Sequence, residues 1–178
     1  MEAGQRYAKL LNIAKESSSE RRRELLHEVT DLFFDNADNV SPVEQHMFGE
    51  LMGKVAFDLD VEVRKELSNR FIEGHAPRNL ALKLANDEID VAAPILRNTK
   101  SLTDDDLINI VETKGTHYQI AVSQREIVSE TLSDALVNHG NDDVLTSLLR
   151  NEGAKIADHT FDKVVERAEA NPDLHRPM

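Results

Sequence analysis

The sequence predicts an all-α protein and, within that class, an α-solenoid: about 10–11 short helices stacked in pairs behind a cap of longer ones. Three observations lead there. Apolar residues recur at helical spacing along the chain. Helix starts and stops follow one another at short, regular intervals. A polar doublet late in alternate helices returns as Asn69-Arg70, Arg97-Asn98, Gln124-Arg125 and Arg150-Asn151, and aligning Arg70, Asn98, Arg125 and Asn151 gives separations of 28, 27 and 26 residues. Short helix pairs with one apolar face each close a core only by stacking on neighbours of their own kind, and they leave this periodic mark.

Residues 4–15 predict a first amphipathic helix, with Tyr7, Leu10, Leu11 and Ala14 on one side. Ser17-Ser18-Ser19-Glu20 is a turn with capping-box spacing. The longer helix that follows runs to about Phe34 with Leu25, Leu26, Val29, Leu32 and Phe33 inward, and Asp35-Asn36-Ala37-Asp38-Asn39 breaks it. Ser41-Pro42-Val43-Glu44 combines a capping serine, a first-turn proline and a glutamate three residues on, so a helix starts there and runs to Phe57. Its Met47, Phe48, Leu51, Met52 and Val55 make an arc broad enough to be covered on two sides. These three helices are long and depart from the period. That marks a cap shielding the open end of a repeat core.

Asp60 opens the next helix, where Val63, Leu67 and Phe71 recur every four residues before Gly74. After the turn His75-Ala76-Pro77, Pro77 is placed to start a helix. The central unit spans 87–115. Its first helix carries Ile89, Ala92, Ala93, Ile95 and Leu96. Its second is opened by Thr103, with Asp104, Asp105 and Asp106 at the positive end of the helix dipole. Leu102 and Leu107 are spaced for a hydrophobic staple, Leu107, Ile110 and Val111 form the buried stripe, and Gly115 is expected as a left-handed stop. Second-helix stripes recur as Leu80/Leu84, Leu107/Val111, Leu132/Leu136 and Phe161/Val165. The expected organisation is a cap over 1–59, a repeat array over 60–170 and a tail or linker over 171–178, all in one continuous domain.

A compact chain of 178 residues buries about 70% of its unfolded surface, enough to hold without staples. It has no cysteine, which removes disulfides and thiolate zinc sites. No signal-peptide core and no membrane-spanning run is present, so a soluble, cytoplasmic protein is expected. The net charge of −12 and 4% aromatic content argue against nucleic acid and against an anionic membrane surface.

Sites of known chemistry are poorly represented. His27-Glu28-Val29-Thr30-Asp31 resembles the helical zinc motif but has Asp31 where a second histidine belongs, and core residues surround it. The stretch 58–62 begins like a calcium loop, yet the position that needs glycine is Val63. His46 and Glu50 lie one turn apart, two ligands where a site needs more. Arg21-Arg22-Arg23 is flanked by Glu20 and Glu24 and fits a solvated face. With no phosphate loop and no nucleophile elbow, neither a cofactor nor a catalytic residue is expected.

Asp60-Val61-Glu62-Val63-Arg64 has the Asp-x-x-Val-Arg form of HEAT repeats, in which the aspartate caps the helix and the arginine braces a neighbouring turn. The strings 85–87 through 96–98, 102–107, 128–130 through 134–136, and 150–154 resemble a bacterial family of unknown function. That family has HEAT-like helical repeats and is best represented in alphaproteobacteria. The resemblance implies a HEAT-like helical array and supplies no catalytic residues.

The doublets remain as the recurrent polar feature. As structure, Asn69, Arg70, Arg97, Asn98, Gln124, Arg125, Arg150 and Asn151 would satisfy helix-end carbonyls and brace the next unit. As function, they would form a track of donors that grips a partner's carboxylates or backbone. The expected activity is that of a non-catalytic scaffold or regulatory domain binding a partner protein through one surface. The alternative is a repeat enzyme or nucleic-acid-repair-type module, which the acidic balance and few aromatics disfavour.

Overall fold

The computed structural model describes residues 18–72 and 75–170, so the helix expected over 4–15, the stop expected at Gly74 for the helix opened by Asp60, and the tail over 171–178 lie outside the described residues. Ten α-helices follow one another: α1 (Ser19–Asp35), α2 (Pro42–Ala56), α3 (Val61–Arg70), α4 (Arg78–Ala85), α5 (Ile89–Asn98), α6 (Asp104–Thr113), α7 (Thr116–Ser123), α8 (Glu130–His139), α9 (Asp142–Leu149) and α10 (Asp158–Ala170). A single 3-10 turn, Ala37–Asn39, separates α1 from α2. The chain is all-helical among the described residues.

Local chemistry explains most of the boundaries. The Ser41 hydroxyl accepts from the Glu44 N–H while the Glu44 carboxylate accepts from the Ser41 N–H, a reciprocal cap on α2 with Pro42 in its first turn. Thr103 and Asp106 do the same for α6. Ser18, Ser129 and Asn141 cap α1, α8 and α9 through single side-chain bonds. Asp60 behaves differently from expectation: it stands at the N-cap of α3 but its side chain makes no capping bond, and its charge acts on Arg64 instead. Gly115 is likewise corrected. It has φ −79°, ordinary for any residue, and it caps the start of α7, because α6 already ends when Lys114 turns extended.

The packing has a simple rule: most helices touch the one two places along. The helices α3, α5, α7 and α9 form one file in contact at every step. In a second file α2 meets α4, α6 meets α8 and α8 meets α10, while α4 and α6 approach less closely and are linked by Arg78 and Asp106. The pairs α4/α5, α6/α7 and α8/α9 join the files. Buried between them lies one apolar cluster, from Leu25 through Leu80, Leu84, Ile95, Leu107, Val111, Leu132 and Leu136 to Val164. The stripe expected at Phe161/Val165 is shifted by one residue. Phe161 is 45% exposed, and Thr160, Val164 and Ala168 are buried instead. The cause lies in α8 and the turn after it, where Asp134 takes the Thr160 hydroxyl and the Lys163 ammonium, and the Val137 and Gly140 carbonyls take Arg167.

At the front, Phe33 and Phe34 of α1, Phe48 of α2 and Phe71 at the end of α3 pack edge-on or tilted, with ring centroids 5.1–6.2 Å apart. This aromatic group ties the long helices α1 and α2 to the first helix of the even-spaced series. Arg64 of α3 reaches Asp87 at the start of the next unit (3.1 Å from Nη2), donates to the Leu59 carbonyl at 2.9 Å and stacks over Phe57. Few of these braces are local. They span one unit.

Candidate functional site

Each doublet closes a helix of the file α3, α5, α7, α9. Adjacent residues on a helix point about 100° apart, so the two members of a doublet cannot serve the same surface. In the three later doublets the second member bonds helix-end carbonyls. Arg125 crosses to the end of α5, where its guanidinium donates to the Leu96 and Thr99 carbonyls, the latter at 2.7 Å. Burial pushes that guanidinium below its ordinary value, and the charge of Asp104 opposes this. Asn151 repeats the move one unit on, its amide donating to the Ser123 and Arg125 carbonyls at 2.7 Å each. Asn98 stays on its own helix and bonds the Pro94 carbonyl at 2.8 Å. In the first doublet, Arg70 pairs with Asp31 and lies over the Phe34 ring.

The loops carrying these residues are stitched together as well. Val128 and Gly153–Lys155 exchange backbone bonds of 3.1 and 2.9 Å in a short parallel bridge. A β-carbon at Gly153 would stand 1.9 Å from the Glu126 carbonyl oxygen, so only glycine fits there.

The first member of every doublet points the other way. Asn69, Arg97, Gln124 and Arg150 are exposed, and among the described residues their side chains make no hydrogen bond or ion pair. Seven residues earlier on the same helices stand Glu62, Asp90, His117 and Asp143, also exposed. A separation of seven is close to two turns, so both rows lie on one face, about 10 Å apart along the helix axes. Between the rows the floor is half-buried and uncharged from α5 onward: Ala93 and Pro94, then Ile120, then Thr146 and Ser147. Proline at 94 has no N–H to give the Asp90 carbonyl, leaving an acceptor on that floor.

Between α7 and α9 the face deepens into an open cavity of about 510 Å³. It is lined by Ile120 and Gln124 on one side and by Asp143, Thr146, Ser147, Arg150 and Asn151 on the other. The Ser123–Ser147 hydroxyl pair, 2.7 Å apart, spans α7 and α9 beside it. The arrangement offers cationic and amide donors along one edge, three carboxylates and a histidine along the other, and a neutral floor from α5 onward. It suits recognition of a chain with polar side groups.

The remaining candidates lie elsewhere. His27, Glu28 and Asp31 face solvent on α1, and Asp31 is held by Arg70. Asn79 and Lys83 donate to Glu50 and keep its carboxyl below the usual range, so it is already engaged where His46 would need it. Arg22 pairs with Asp58 across the α1 and α2 ends. No three potential metal ligands gather among the described residues, and no helix among them is long and apolar enough to cross a membrane. The acidic row escaped the sequence reading, although its constant offset of seven from the doublets was visible there. Pro94 was passed over within an otherwise regular apolar pattern.

No curated protein and no solved structure matches the chain. A match does appear at the level of families, and it takes in the doublets at 97–98, 124–125 and 150–151 together with the cavity between α7 and α9. Over residues 91–178 the chain matches the model of the bacterial family DUF2336, described as an uncharacterised protein conserved in bacteria.

Proposed function

We propose that the helices form an α-solenoid of HEAT-like pairs and that this array is a non-catalytic docking scaffold of the bacterial cytoplasm. It would hold a partner protein on the face of α3, α5, α7 and α9. Support for the solenoid comes from the two files of helices and from spacings of 28, 27 and 26 between helix ends. The file α3-α5-α7-α9 packs backbone to backbone at each step, while in the other file α4 and α6 are joined chiefly through the Arg78–Asp106 pair. The longer helices α1 and α2 act as the front cap.

The observation that carries the docking reading is the row Asn69, Arg97, Gln124 and Arg150. Four exposed donors sit at repeat spacing on one face without internal partners, beside neighbours of the same residue types that are fully engaged. A purely bracing role accounts for the engaged set only.

The test compares the intact chain with its Arg97→Glu/Arg150→Glu variant as bait for bacterial lysate, with captured proteins quantified against bait concentration. A saturable set retained by the native chain and lost by the variant is expected. Identical capture by both would remove the face from consideration.

A further inference from the structure

Resting on the docking reading above, we infer that the face of α5, α7 and α9 takes an extended acidic segment of a partner, with two carboxylates six residues apart that pair with Arg97 and Arg150. The order along the edge is cation, amide, cation: Arg97, Gln124, Arg150. Packed helices lie about 8–10 Å apart, so the two arginines are separated by two steps, roughly 16–20 Å. An extended chain advances about 3.3 Å per residue, which makes that interval about six residues.

Side chains of an extended segment alternate between its two edges. Residues separated by six therefore share an edge, and the residue midway between them points to the opposite one. At that midpoint the arginine edge meets peptide backbone, and the group standing there is Gln124, whose amide both donates and accepts. The cation-amide-cation order thus matches carboxylate, backbone, carboxylate. Across the floor, Asp90 and Asp143 repel carboxylates and confine them to the arginine edge. The occupant is acidic because the three edge positions Arg97, Gln124 and Arg150 carry two cations and no carboxylate, although the chain as a whole carries −12 and Glu126 and Glu152 follow in the loops.

The experiment uses fluorescein-labelled 11-residue peptides of Gly, Ala and Ser carrying two glutamates, six apart in one and three apart in its isomer. Anisotropy is read against the intact chain at low ionic strength, with a 12-nucleotide RNA as a second polyanion. Each exposed ion pair contributes modestly, so the six-apart peptide is expected to bind about fivefold more tightly than its isomer, and Arg150→Glu to erase that margin. Since the exposed side chains of Arg97 and Arg150 make no internal hydrogen bond or ion pair, circular dichroism should show both variants folded. Equal affinity for the two isomers, still lost in Arg150→Glu, overturns the register and leaves the docking reading standing. Binding insensitive to Arg97→Glu and Arg150→Glu overturns both. Tighter binding of the RNA than of either peptide overturns the acidic-segment assignment in favour of nucleic acid.

Discussion

Arg125 and Arg150 are the same residue type at nearly the same point of successive units, and their circumstances are opposite. Arg125 is half-buried and holds two helix-end carbonyls of α5, whereas Arg150 stands in solvent at the rim of a cavity. Removing Arg125 leaves those carbonyls without their donor, at a cost of about 2 kcal/mol for two charge-assisted bonds. For a chain of this size that corresponds to a fall of about 4–8 °C in Tm. Arg125→Lys should recover only part of the loss, since an ammonium lacks the planar fork that reaches both oxygens. Arg150→Ala should stay within about 0.5 kcal/mol of the native chain. Thermal melts of the three variants check this, and equal shifts for Arg125→Ala and Arg150→Ala would contradict the division of the doublets.

Among the elements, α6 shows how a local signal acquires a longer reach. Thr103 and Asp106 form its capping box, and Arg78 at the start of α4 joins them by donating to both oxygens of Asp106 at 2.7 and 2.9 Å. Burial alone would raise the Asp106 carboxyl, but the Thr103 N–H and hydroxyl and the Arg78 guanidinium outweigh it and hold the group below its ordinary value. A carboxyl lowered in the folded state stabilises the fold above its unfolded value of about 3.9, and that stability disappears as pH falls through the lowered folded value. Urea denaturation should accordingly show Asp106→Asn weaker than the native chain at pH 7, with the gap narrowing as the pH is taken below the ordinary carboxylate range. A gap unchanged with pH would refute the assignment.

The same element shows what was legible beforehand. Its cap depends on residues three apart, so Thr103 and Asp106 announced it. Its end did not follow from composition, because Gly115 fits a left-handed stop and an extended N-cap equally well, and the position of α7 decides. The buried side of α10 was misplaced by one residue for a related reason. Phe161 and Val165 satisfy the helical period, but Asp134 and the carbonyls at the end of α8 determine which side turns inward. Nor does the order of letters in Arg97-Asn98 and Gln124-Arg125 say which member faces solvent. That requires knowing where the preceding helix ends.

Across the whole molecule, each unit leans chiefly on its immediate neighbours, so damage should remain near where it is introduced. Phe71→Ala removes a fully buried ring at the front, and Leu148→Ala removes a fully buried side chain near the rear. Hydrogen exchange by mass spectrometry should show protection lost mainly over α1–α4 in the first variant and over α7–α10 in the second. Uniform loss in both would mean a single cooperative unit. Four of the braces between units share a direction. Lys114 donates to the Asn86 carbonyl, Arg125 to Leu96 and Thr99, Asn151 to Ser123, and Arg167 to Val137 and Gly140, each toward earlier sequence, whereas Arg64 to Asp87 and Arg78 to Asp106 run the other way. A ribosome delivers the chain from its N-terminus, so each of the first four donors emerges when its acceptor has already been made. For these four braces the growing chain never has to wait for a partner still to be made, whereas Arg64 and Arg78 wait for the unit that follows them.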